Sequence, residues 1–206
     1  MAPGVIRPNA FHRIQSDHEL PAVIPESDKT AANAPLKQLF GLENQTIIVT
    51  GGSRGLGLHL AGAVVEAGGH AACLDILPSP DENEWARVQK LAKQARVTVT
   101  YTRVDITDEK SMVEIMEDIA YGAKEKGAPL NGCIACAGIQ QKVLALDYPV
   151  EDFERMLRVN TVGTFVTVKT AAKIMVREKI PGSIVMVASM SGNIANRVRW
   201  LRALVR

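Results

Sequence analysis

Thr50-Gly51-Gly52-Ser53-Arg54-Gly55-Leu56-Gly57 is the segment of this 206-residue chain whose residue types and spacing most directly do chemistry. It stands where a short β-branched run hands over to an amphipathic one, as a strand does to a helix. A pyrophosphate bound there must approach the backbone closely and meet the free N–H groups and positive dipole end of the helix, which requires positions without a Cβ. Gly57 in addition lets the helix pack close to the sheet. Asp75 ends the following apolar run, 24 residues after Gly51, where a carboxylate accepts hydrogen bonds from ribose hydroxyls. Loop and acid together imply a dinucleotide. The plainer alternative is that Asp75 only caps a turn before Pro78 and Pro80. Arg54 complicates the choice of dinucleotide, because a cation in the loop pairs with a 2′-phosphate while Asp75 repels one. The balance leans to NAD and leaves NADP open.

Positioning these residues takes a βαβ framework, and short apolar runs alternate with amphipathic stretches from Leu42 onward. The runs predict strands over 46–50, 71–75, 97–104, 132–137 and 183–188, small or β-branched as strands covered on both faces are. Helices are predicted over 56–67, over 82–95 with Trp85, Val88, Leu91 and Ala92 on one stripe, and over 108–124 with Met112, Ile115, Met116 and Ile119. One longer helix is expected over 151–178, carrying Phe153, Met156, Leu157 and Phe165 and stopping before Pro181-Gly182. The fold expected is α/β: a three-layer αβα Rossmann fold with a parallel sheet, incomplete at its C-terminal side.

The composition agrees with a globular domain, at 47% hydrophobic and 22% charged residues. A formal net charge of +2 and only 4% aromatic residues argue against nucleic acid as a partner. The three cysteines, Cys73, Cys133 and Cys136, are too few for a secreted disulfide framework and indicate a reducing compartment. Cys133-x-x-Cys136 falls on a strand, where residues three apart face opposite ways, so neither a redox pair nor a zinc site is expected and no metal is implied. The weakly charged stretch 55–77 is broken by Glu66 and several glycines, so no membrane span is expected. Residues 1–40 carry five prolines and no hydrophobic periodicity and are expected to be disordered. They lack a signal-peptide core and carry Asp17, Glu19, Glu26 and Asp28, which leaves the cytoplasm as the expected location. The dinucleotide-binding domain is then 41–192, with an atypical basic tail over 193–206.

The glycine loop, Asp105 at a strand end and the Ala137-Gly138 turn resemble the short-chain dehydrogenase/reductase family. Asn160, in Val159-Asn160-Thr161-Val162-Gly163, is similar to that family's active-site asparagine. Ser189, in Val187-Ala188-Ser189-Met190-Ser191-Gly192, is similar to its catalytic serine after the fifth strand. Within the family the chain looks closest to fungal polyol and sugar dehydrogenases. The resemblance implies hydride transfer between a nicotinamide dinucleotide and a small-molecule alcohol or ketone, with Ser189 on the substrate oxygen and Asn160 in the proton path. It implies further that Thr50, Gly51, Ser53, Arg54, Gly55, Leu56 and Gly57 hold the pyrophosphate, Asp75 the ribose, and Asp105 with Ile106 the adenine edge. Full-length relatives are expected to be homo-oligomers. Asp105 has a second reading, in which it serves the turn before Thr107, a candidate helix N-cap. Where the family has Asn-Asn-Ala-Gly, this chain has Ala135-Cys136-Ala137-Gly138; the resemblance implies that Cys136, Ala137 and Gly138 still bring their backbone to the cofactor, without the asparagine side-chain hydrogen bonds.

The family's Tyr-x-x-x-Lys, expected about a dozen residues beyond the serine, is not here. After Ser189 the sequence has neither tyrosine nor lysine. Tyr101, Tyr121 and Tyr148 all lie upstream, and arginine cannot replace the tyrosine, because a guanidinium stays protonated. The tail can be read as an amphipathic helix with Val198, Leu201 and Val205 at helical spacing, as a solvated end, or as sequence foreign to the family. The chain is therefore expected to be an oxidoreductase relative without turnover as given, or a non-catalytic dinucleotide-binding or interaction module.

Overall fold

A computed structural model describes residues 40–190. The expected disordered segment, except residue 40, and the basic tail lie outside the described residues, as do the last two residues of the expected domain. Five strands form one sheet: β1 (Thr46–Thr50), β2 (His70–Asp75), β3 (Val99–Arg103), β4 (Leu130–Ala135) and β5 (Ser183–Met186). All pairings are parallel, in the order β3-β2-β1-β4-β5. Five α-helices make the crossovers: α1 (Gly55–Glu66), α2 (Glu82–Ala95), α3 (Glu109–Glu125), α4 (Val150–Leu157) and α5 (Thr164–Glu178).

Alternation along β1 divides the core in two. Every β1 residue is buried, as a central strand covered on both faces requires. Ile47 and Val49 face Leu58, Val65 and Val88 of α1 and α2. Ile48 faces the other way and packs with Leu74, Met112, Met116 and Ile174 under α3 and α5. Each such side chain contributes roughly 1.5–3 kcal/mol by leaving water, so the three layers are held chiefly by these two apolar seams. This is the expected αβα architecture. Strand β1 and helix α2 coincide with their predicted spans; the other matching elements are displaced by one or two residues at their ends.

Two local expectations are corrected. The single helix expected over 151–178 is two α-helices joined by a π-helical turn, Arg158–Gly163. A Cβ on Gly163 would sit 2.6 Å from Ile106 Cδ1, so the widened turn brings bare backbone down onto the core at this point. Thr107 is not an N-cap. Asp108 caps α3, its Oδ1 accepting from the Ser111 N–H at 3.2 Å, while the Thr107 N–H and hydroxyl both donate to Asp105 Oδ1 at 2.8 Å.

At the amino edge of the sheet, His70 Nδ1 accepts from the Thr98 N–H at 3.1 Å, with the Thr98 hydroxyl 2.8 Å away. A backbone N–H can only donate, so Nδ1 must be bare in the fold. Partial burial, and next the nearby Lys126, lower the His70 pKa below its ordinary 6.5. A depressed histidine contributes stability above its unfolded pKa and loses it as pH falls through the folded value. The melting temperature is therefore expected to drop as pH falls below about 6.5, and to drop less in His70→Gln, which accepts without titrating. Parallel pH slopes for the two proteins would reject this role.

The far ends of α3 and α5 are joined by an ionic cluster. Arg177 forks onto both Glu117 oxygens at 2.7 Å and reaches Glu178, which also pairs with Lys124. These cations hold Glu117 and Glu178 below the usual carboxylate range. The outer face of α5 and the edge strand β5 are, by contrast, apolar and open at Phe165, Val176, Val185 and Met186. No helix among the described residues is long and apolar enough to cross a membrane.

Candidate functional site

The expected site residues gather along the carboxyl edge of the sheet, where parallel strands deliver their chain ends to one side. Gly51 has φ +71° and lies so close to β4 that a Cβ would meet Ala137 Cα and N at 2.9 Å. Gly57 is tighter still: a Cβ there would stand 2.1 Å from Gly51 O. Gly55 differs, with φ +55° and open space where its Cβ would point. The loop is thus closed toward the protein and bare toward solvent, in front of the first N–H groups of α1. Arg54 and Leu56 flank that opening and are exposed.

Thr50 is buried and does not face the opening. Its hydroxyl oxygen accepts from the Cys136 and Ala137 N–H groups at 3.2 and 3.3 Å, tying the end of β1 to the chain leaving β4. Cys136 is half-buried, and burial raises its thiol pKa; the wholly buried Cys133 thiol is pushed up to about 12 by the same cause. Ser53 is also buried, and it organises the acid. Its N–H and hydroxyl donate to Asp75 Oδ2 at 3.2 and 2.7 Å, its carbonyl accepts from the Asp81 N–H at 2.8 Å, and the Leu77 N–H donates to Asp75 Oδ1. Asp75 therefore stands at the loop with its carboxylate oriented by backbone on both oxygens.

Asp105 Oδ1 accepts from the Thr107 N–H and hydroxyl in the loop after β3, and the Ile106 side chain is buried beneath Gly163. Asn160 lies in the π-helical turn. Its Nδ2 donates to the Ile139 carbonyl at 2.9 Å and its Oδ1 accepts from the Ile139 N–H at 2.8 Å, a two-point clamp on the loop segment that follows Gly138. A Cβ on Gly138 would come within 3.3 Å of Asn160 Oδ1, so glycine leaves room for that clamp. Ser189 is exposed just past β5, on the same edge, and the Val187 N–H donates to Ala135 O at 3.0 Å to keep that segment against β4. The tyrosines lie elsewhere: Tyr101 donates to Leu77 O from β3, Tyr121 is exposed on α3, and Tyr148 donates to Gln141.

Sequence reasoning missed three participants. Gly52 is required because a Cβ would meet Cys73 Cβ at 2.7 Å, a demand visible in sequence only as one more glycine in the loop. Ile139 enters through its backbone. Glu84 reaches the loop from α2, its Oε2 accepting from the Gly55 N–H at 3.3 Å, and nothing in the sequence signals this.

A parallel sheet in this order, with a glycine loop between β1 and α1 and an acid closing β2, defines an α/β domain of the Rossmann type. The family model for short chain dehydrogenases matches residues 45–200, and the chain belongs to that family. It is 35% identical over 162 residues to the short chain dehydrogenase/reductase notP' of Aspergillus versicolor, covering 79% of this chain and 54% of the relative. It is 36% identical over 163 residues to galactitol 2-dehydrogenase of Rhizobium johnstonii, covering 78% and 59%. A crystal structure of a short-chain type dehydrogenase/reductase from Mycobacterium marinum superposes with a TM-score of 0.69 at 26% identity, covering 81% of this chain and 64% of that one. The chain thus spans little more than half the length of the curated relatives it matches.

Proposed function

We propose that this chain binds a nicotinamide dinucleotide, NAD in preference to NADP, as the cofactor-binding part of an alcohol or ketone oxidoreductase. The loop carries this reading: at Gly55 it is bare and open at the start of α1, with the Asp75 carboxylate held at its side. These residues fit a pyrophosphate and an unphosphorylated ribose. Gly51, Gly55 and the α1 amides would hold the pyrophosphate, Asp75 the ribose hydroxyls, and Asp105 with the Ile106 main chain the adenine end. Bound there, the nicotinamide ring supplies a hydride acceptor or donor. Asn160 fixes the Ile139 backbone, and Ser189 presents a hydroxyl for the oxygen of the substrate, which the galactitol 2-dehydrogenase relative suggests is a polyol or sugar.

Proton transfer is the missing function. A tyrosine hydroxyl needs a neighbouring cation to bring its pKa down from ~10, and no Tyr-x-x-x-Lys follows Ser189. The 206-residue chain is expected to quench or enhance NADH fluorescence on titration while showing no oxidation or reduction with a panel of polyols and ketoses. Steady turnover by the purified chain would overturn the inactive reading. Failure to bind NADH would overturn the dinucleotide reading itself. The second reading, a non-catalytic binding module, is favoured by the same absent pair and gains support from binding without turnover.

A further inference from the structure

We propose that Tyr101 and Arg103, on the edge strand β3, are positioning residues for the ribose acid: they hold the turn after β2 in the orientation that points an N–H at Asp75. The inference rests on the dinucleotide reading above and deepens it. In the parallel register Arg103 stands opposite Asp75 and Tyr101 opposite Cys73, so the side chains of Asp75, Tyr101 and Arg103 rise on one face of the sheet.

The turn they reach is poor in donors of its own. Between Asp75 and Asp81 the chain reads Ile76-Leu77-Pro78-Ser79-Pro80, and its two prolines have no N–H to donate. Strand β3 supplies donors from outside: Arg103 Nε donates to Ile76 O at 3.0 Å, and the Tyr101 hydroxyl donates to Leu77 O at 2.6 Å.

The Ile76 carbonyl and the Leu77 N–H belong to one peptide group. That group accepts from the Arg103 guanidinium at one end and donates to Asp75 Oδ1 at 3.2 Å at the other, so a cation and a carboxylate polarise it in the same sense. A rotated peptide would turn its carbonyl on the carboxylate and lose both bonds. Tyr101 fixes the next carbonyl, its ring set edge-on to Trp85 with 6.0 Å between centroids. Burial, and next the Asp75 charge, raise the Tyr101 pKa above its ordinary 10, so the hydroxyl keeps the proton it donates. Ser53 anchors only Asp75 Oδ2. The Leu77 N–H therefore sets how the carboxylate is turned about that anchor, and which of its lone pairs are left for ribose hydroxyls.

The test titrates NADH by fluorescence against the full chain, Tyr101→Phe and Arg103→Met, each substitution made alone and on Asp75→Ala, with thermal melts to verify folding. Each single variant is expected to weaken NADH about threefold to tenfold, the worth of one hydrogen bond. On Asp75→Ala the same substitutions should change affinity by less than about 1.5-fold, because nothing is left for them to position. A merely structural role would carry its full effect into that background, and equal effects in both backgrounds overturn the inference. Wild-type affinity in both single variants overturns it as well. Should Tyr101→Phe fail to fold, Arg103→Met, at an exposed position, decides alone. Unchanged NADH binding in Asp75→Ala removes the ribose role of the acid and this inference with it, while the loop reading stands. No NADH binding by the wild type removes the dinucleotide reading as a whole.

Discussion

Gly57→Ala is expected to abolish measurable NADH binding and to destabilise the domain by at least about 3 kcal/mol, the upper end of what overpacking costs. The Cβ would fall 2.1 Å from Gly51 O and 2.6 Å from Gly51 C, and both atoms are backbone, so no rotamer change relieves the overlap. Either α1 moves off the sheet or the loop opens, and both disperse the N–H groups at the start of α1. Gly55→Ala is the informative comparison. Its Cβ meets nothing within 4 Å, so its cost is the ~1 kcal/mol of a left-handed backbone alone. Urea unfolding and NADH titration of both variants decide the matter: equal behaviour of the two would show that close approach at Gly57 is not what the loop requires.

Thr50→Val should cost about 1–3 kcal/mol although it preserves shape, because it leaves two half-buried N–H groups, those of Cys136 and Ala137, without their acceptor. Thr50→Ser keeps the oxygen and should recover most of the loss. A second readout separates this from generic destabilisation. Under native conditions the Cys136 thiol, half-buried beside the same bond, should react faster with a thiol reagent in the valine variant, while the core thiols Cys73 and Cys133 stay protected. Unchanged Cys136 reactivity together with wild-type stability would refute the tether.

The sheet and its helices were legible because their signals are local. Alternation, β-branched runs and stripes such as Val88 and Ala92 are imposed residue by residue by the core they face. The glycine loop was legible because close approach leaves only one residue type possible. The π-helical turn was not, since one extra residue only shifts the phase of an apolar repeat and its cause, the fit of Gly163 over Ile106, joins segments far apart in sequence. Thr50 was assigned to the ligand with its loop neighbours, and the structure turns its hydroxyl to β4. The partners of Ser53 and Glu84 were hidden for a related reason: a hydroxyl on Asp75 and a carboxylate on Gly55 are long-range pairings that no spacing announces. Ser189 and Asn160 were reached through family resemblance alone.

The central place of β1 sets the order in which the chain can complete itself on the ribosome. One edge of β1 pairs with β2, whose register begins at His70, so that edge is closed as soon as one crossover has emerged. The other edge waits for β4, because Thr46 pairs with Leu130. Through the synthesis of everything between, a nascent strand with a Thr-Ile-Ile-Val-Thr sequence keeps open backbone donors and acceptors on that side. Non-local pairing of this kind is slow to close and prone to wrong partners, so slowing translation after Leu130, rather than before it, is what should most improve recovery of the folded chain.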